Sequence, residues 1–136
     1  MGKFSDVSSL VNSVFGSAEW QNEGIVTHPS NFTGDVKGNE YIRVSVLTAS
    51  NKLEYTNLNS MAGQIVIDIF TRSGEGPLRP SQIADLLDKY LVGKIFSSQQ
   101  GTLQISASLK DQGKPDTANP ALFKTLYVVN LTYFGK

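Results

Sequence analysis

Residues 41–46, YIRVSV, alternate strictly, so that Ile42, Val44 and Val46 fall on one side of an extended chain and Tyr41, Arg43 and Ser45 on the other. That spacing predicts a half-buried strand. Residues 63–71, GQIVIDIFT, set Ile65, Ile67 and Ile69 against Val66, Asp68 and Phe70. This strand is apolar on both faces except at Asp68, which predicts a central place in a sheet. Residues 102–109, TLQISASL, put Leu103, Ile105, Ala107 and Leu109 on a buried face and Thr102, Gln104, Ser106 and Ser108 on a wet one. The chain closes with a fourth β-prone stretch, KTLYVVNLTYFG.

Two segments carry the helical period instead. Phe4, Val7, Val11, Val14 and Phe15 share one side of a helical wheel, with Ser5 placed to cap the N-terminus and Gly16 to end the helix. Ile83, Leu86, Leu87, Tyr90 and Leu91 follow the spacing i, i+3, i+4, i+7, i+8, with Pro80 and Ser81 at the start and Gly93–Lys94 at the end. Residues 20–40 are irregular, with one short strand expected over 24–27 before Pro29 interrupts it. Residues 51–62 are too polar for the core, although Leu53, Tyr55 and Leu58 suit a strand extension or hairpin arm. Residues 110–122 hold two prolines and a glycine and read as a loop or exposed arm. The expected fold is a single α+β domain over 1–136, with a mainly antiparallel sheet of about four to six strands and two helices on one face.

Composition narrows the function more than the fold. Twelve basic residues balance twelve acidic ones, and the charged fraction of 18% lies below the roughly 25% of ordinary soluble domains. A surface so lightly charged does not steer toward nucleic acid or anionic lipid, and it is compatible with burial against other proteins. The absence of cysteine removes disulfides, thiolate metal sites and cysteine nucleophiles together. No apolar run approaches the roughly 20 residues of a membrane span, and the N-terminus does not have the form of a signal peptide.

The loop between the central strand and the second helix, RSGEGPLRPS, places glycines where a phosphate cradle would have them. Gly74 and Gly76 match neither the Walker nor the dinucleotide spacing, and Pro77 and Pro80 delete two backbone donors such a site would use. A structural or contact loop is expected. His28, the one imidazole, precedes Pro29 without a carboxylate at metal-ligand spacing. Asp85 and Asp88 read as a solvated helix face. Asp68 is either a buried acid, the end of a salt bridge, or a residue on the wet or interface side. Asn31 and Asn130 head N-x-T sequons with no secretion signal to bring them into use. No catalytic, cofactor-binding or metal-binding residue is assigned.

Three stretches together resemble the tail terminator proteins of long-tailed bacteriophages. These are the N-terminal helix leading through AEWQNEGI, then NEYIRVSVL, then GQIVIDIFTRSGEGPLRPSQIADLLDKYL. Trp20, Asn22, Tyr41, Arg43 and Val44 match the first part of that pattern, and Gly74, Gly76, Ala84, Asp85 and Leu86 the second. The resemblance implies a non-enzymatic, homo-oligomeric ring, commonly a hexamer, that binds the last ring of the tail tube, stops its growth and offers a surface to the head-side connector. DNA would pass through the ring without specific binding. The implied location is the head-proximal end of the tail, after assembly in the host cytoplasm. Subunit or tube contacts are expected from Arg43, Asp68, Arg72, Glu75, Arg79, Lys110, Asp111, Lys114 and Asp116, with arms at 51–62 and 110–122. The alternatives are a tail tube subunit, a head-tail completion protein, or a small ligand-binding domain using Asp68 with Arg72.

Overall fold

The computed structural model describes residues 2–31, 40–50 and 61–135. Its elements, in chain order, are α1 (Lys3–Phe15), α2 (Ala18–Asn22), β1 (Thr27–Pro29), β2 (Tyr41–Ser50), β3 (Met61–Arg72), α3 (Leu78–Leu91), β4 (Ile95–Ser97), β5 (Gly101–Lys110), β6 (Lys114–Pro115) and β7 (Leu122–Gly135). The fold is α+β. One sheet runs β1-β2-β3-β7-β5-β4, with β6 also paired to β7. Every pair is antiparallel except β1 with β2. The four long strands are the three that alternation predicts and the closing β-prone stretch, and β3 lies between β2 and β7, in the interior of the sheet.

Register explains which face is buried. Odd residues of β3 and β7 project toward the helices, where Ile65, Ile67, Ile69, Tyr127, Val129, Leu131 and Tyr133 meet Val7, Val11, Ile83, Leu87 and Leu91 in one core. Those side chains are essentially inaccessible, so their burial supplies the main favourable term in folding. The opposite face carries no helix. Its even β3 and β7 residues are half-buried or exposed, apart from a small cluster of Tyr41, Phe70 and Leu122 at one end.

Several sequence expectations need correction. α1 begins at Lys3 behind Gly2, not at Ser5, and Phe4 is 52% exposed rather than in the core. The helix keeps Val7, Val11 and Val14 inward, one turn apart, and Phe4 lies in the fraying first turn ahead of them. Residues 18–22 form α2 because Ser17 accepts a hydrogen bond from the Trp20 amide. Five residues are too few to show a period. The short strand falls at 27–29, not 24–27, and includes Pro29, which an edge strand tolerates because its missing N–H is not needed in the ladder. α3 starts at Leu78, so Pro80 sits in the first turn, where its N–H would have had no helical partner.

The largest change is in β5. The register with β7 pairs Ile105 with Leu131 and Ser108 with Val129, so Ser106 and Ala107 share the space opposite Asn130. This bulge reverses the alternation beyond it. Leu103 and Ile105 are buried as expected, whereas Ala107 is exposed and Leu109 is turned to the helix-free face at 73% exposure. Periodicity alone cannot announce such a phase change.

Several polar groups inside the fold are paired across long sequence distances, whereas the buried Thr71 and Thr125 hydroxyls have no hydrogen-bond partner among the described residues. Asp6, 3% exposed, accepts hydrogen bonds from Ser98 Oγ at 2.7 Å and from the Tyr133 hydroxyl at 2.5 Å, tying α1 to the β4–β5 turn and to β7. Burial and the Asp6 carboxylate together push the Tyr133 hydroxyl up to about 12. Asp88 is not simply solvated, since it accepts a 2.7 Å bond from Tyr127, whose pKa is raised by burial first and by Asp88 second. Trp20 is fully enclosed, edge-on to Phe15 and Tyr90, and donates from Nε1 to Thr27 Oγ1 at 2.9 Å.

Candidate assembly surfaces

The loop 73–77 leaves the end of β3 and enters α3. Gly74 and Gly76 have φ of +85° and +80°, a conformation that side-chain-bearing residues rarely adopt, and no neighbour lies where a Cβ would be. Their requirement is therefore backbone shape, the ordinary reason for glycine in a tight turn. Ser73 fastens the loop through its amide to Ala121 O and its hydroxyl to Pro120 O. The hollow beside it, about 370 Å³, is lined by Arg72, Gly74, Gly76, Pro77 and Phe123.

Arg72 and Glu75 are exposed on this loop, and Leu78 beside them is 68% exposed. Arg79 differs, because the carboxylate it meets is the chain's own Glu40. Arg79 Nε lies 3.0 and 2.9 Å from the two Glu40 oxygens, and Nη2 lies 2.7 Å from Oε1. The bidentate pair joins the first turn of α3 to the residue that enters β2, and the Glu40 bonds raise the Arg79 pKa further.

Arg43 and Asp68 lie side by side in register on the helix-free face. Asp68 pairs with Lys124 at 3.7 Å, a partner that strand periodicity could not identify. Arg43 stacks over Phe70 at 5.3 Å, reaches the Tyr41 hydroxyl at 3.4 Å, and keeps a buried Nε with no hydrogen bond among the described residues. Tyr41 in turn stacks on Phe70 at 4.5 Å and contacts the His28 ring at 5.4 Å. Burial is the main cause of its raised pKa, which Arg43 opposes and Asp116 and Asp68 reinforce. Asp68 and Arg72 do not converge, since they are four residues apart on β3 and only Asp68 reaches a partner on the face.

Residues 110–122 are held more closely than a free arm. Asp111 Oδ1 accepts from the amides of Gly113 and Leu126, each at 2.9 Å, and β6 continues the line of β5 along β7. Lys110 turns its ammonium to Asp111 O at 3.0 Å, and the Asp116 amide bonds Leu122 O. Lys114 is exposed and Asp116 half-buried, which leaves 116–121 as the hairpin tip. In the other expected arm, 51–60 lie outside the described residues, while 61 and 62 belong to β3. Among the described residues no three His, Asp or Glu side chains are close enough to hold a metal ion, and no helix is long and apolar enough to cross a membrane.

No family model and no curated protein matches the sequence. Solved structures do match. One chain with no stated function aligns at a TM-score of 0.70 and 14% identity, covering 93% of this chain and 94% of that one. A second, from the virion of a native gene transfer agent (GTA) particle, aligns at a TM-score of 0.59 and 15% identity, covering 94% and 93%. The fold is shared with a virion chain. At these identities the likeness is in the backbone path, and it extends over nearly the full length of both chains.

Proposed function

We propose that the protein is a structural subunit of a phage-like virion and, within that class, a tail terminator that forms a ring on the tail tube, ends its polymerisation and presents the surface for head joining. The observation that supports this reading is the full-length fold likeness to a chain of a gene transfer agent virion. The balanced, lightly charged composition agrees with a chain whose surface is covered by protein neighbours.

A ring is a heterologous contact closed by rotation, so each copy must carry two different complementary surfaces. The exposed loop bearing Arg72 and Glu75 is one contact assigned to the tube or a neighbour, and the hairpin tip beyond Lys114 is another. Arg43 and Asp68 serve through the helix-free sheet face. Electron microscopy of the purified protein tests the proposal. Closed rings, alone or on the ends of added tubes, are expected; open tubes of indefinite length would instead make it a tube subunit.

A further inference from the structure

The two sides of the sheet end differently from its middle. On one side β1 covers β2 only at Ile42–Val44, and on the other β4 covers β5 only at Thr102–Gln104, with Ile105 bonded to Gly93 and Lys94. Among the described residues, the outer backbone of Ser45–Ser50 in β2 and of Ser106–Lys110 in β5 therefore has no strand beside it. Open edges invite pairing with another chain, and proteins usually blunt them with charges or proline. Here VSVLTAS and GTLQISASL contain neither, and Lys110 only bounds the second.

Each open edge also presents a large apolar side chain on the helix-free face. Leu47 is 58% exposed at the β2 edge, and Leu109 is 73% exposed at the β5 edge because the bulge turns it there. Strand direction makes the two edges compatible. β2, β3, β7 and β5 alternate in direction, so β5 runs opposite to β2. Rotation about a ring axis preserves the component of direction along that axis, so for strands running along it β5 of one copy set beside β2 of the next continues the antiparallel alternation without a break.

We infer that the Ser45–Ser50 edge of one copy pairs with the Ser106–Lys110 edge of the next, so that the sheet runs from copy to copy with Leu47 meeting Leu109 on its helix-free face. This rests on the ring reading above. It assigns the neighbour contact to backbone edges, leaving the charged loops for other partners.

The absence of cysteine makes the contact directly testable. Ser45→Cys and Leu47→Cys are each combined with Leu109→Cys and oxidised. Within one chain the two positions are three strand spacings apart, about 14 Å, beyond the roughly 7 Å that a disulfide spans. A ladder of covalent multimers is expected from the double variants, ending at the ring number found by native mass spectrometry, with no crosslinking of the single variants. Dimers from a single variant, or no ladder from either double variant while rings persist, would overturn the edge assignment and leave the ring intact. A parent protein that never forms rings would remove the ring reading and this inference with it. In a second measurement, Leu109→Lys is expected to raise the concentration needed for ring formation at least tenfold with an unchanged melting curve for the monomer; unchanged ring assembly would also overturn the inference.

Discussion

Asp6 shows how one side chain can hold three elements together. Removing its carboxylate leaves the buried Tyr133 hydroxyl without its acceptor, while Ser98 keeps Gly101 O at 3.4 Å. Asp6→Ala is therefore expected to cost about 1–3 kcal/mol, the scale of a buried polar group left unsatisfied. Asp6→Asn should cost less, because its amide oxygen still accepts; urea denaturation of both variants measures the difference. Tyr133 gives this site a pH signature. Its hydroxyl ionises near 12 when folded and near 10.0 when free, so the unfolded chain loses its proton first. Stability from this group is complete below pH 10 and is lost as pH rises toward 12, which denaturation at stepped alkaline pH will show. Tyr133→Phe should reduce the measured loss, with Tyr127 supplying the remainder. Arg72 and Arg79 are expected to separate under charge reversal. Arg72→Glu should weaken ring formation or tube binding with little change in folding, whereas Arg79→Glu first sets two carboxylates together at Glu40 and lowers stability. Normal oligomer mass and tail length with Arg72→Glu would remove that residue from the contact.

Among the elements, the strand–loop–helix unit from β3 to α3 is the one in which sequence and structure agree most closely. Ile65, Ile67 and Ile69 face the helices, and Ile83, Leu87 and Leu91 answer them, because periods of 2 and 3.6 are both visible in an uninterrupted run. The loop between them has glycines for backbone shape. Gly76→Ala should accordingly cost about 1–2 kcal/mol, the penalty of a left-handed L-residue, and millimolar phosphate should leave the melting temperature unchanged. A phosphate-dependent rise would reopen the cradle reading. What was not legible has physical causes too. α2 and β1 are set by one cap and by edge pairing, and neither leaves a repeating pattern. The partners of Arg79 and Asp68, Glu40 and Lys124, lie 39 and 56 positions away in sequence and become neighbours only through folding. The bulge in β5 was hidden because Ser106, Ala107 and Ser108 are all small and keep the polar–apolar alternation running through it, so the reversal at Leu109 has no local marker.

For the whole molecule, the two faces of the sheet differ: one, covered by α1 and α3, supplies the core, and the other carries no helix and is the face that the proposed ring would cover. Assembly should then add to stability through mass action: a chain that folds into rings melts at a higher temperature as its concentration rises. Scanning calorimetry over a hundredfold range of concentration is expected to show that rise for the parent and to lose it for Leu109→Lys. A concentration-independent melt of the parent would argue for a monomer that assembles only on a partner.

Trp20, the chain's single tryptophan, has a practical consequence. It is sealed among Phe15 and Tyr90, bonded to Thr27 of β1, and has no exposed surface of its own. Its emission should be blue-shifted in the native protein, stay the same when copies associate through the sheet, and move to the red only when the domain opens. The molecule thus carries its own optical gauge of folding, one that stays silent during assembly and so allows the two processes to be timed separately in the same cuvette.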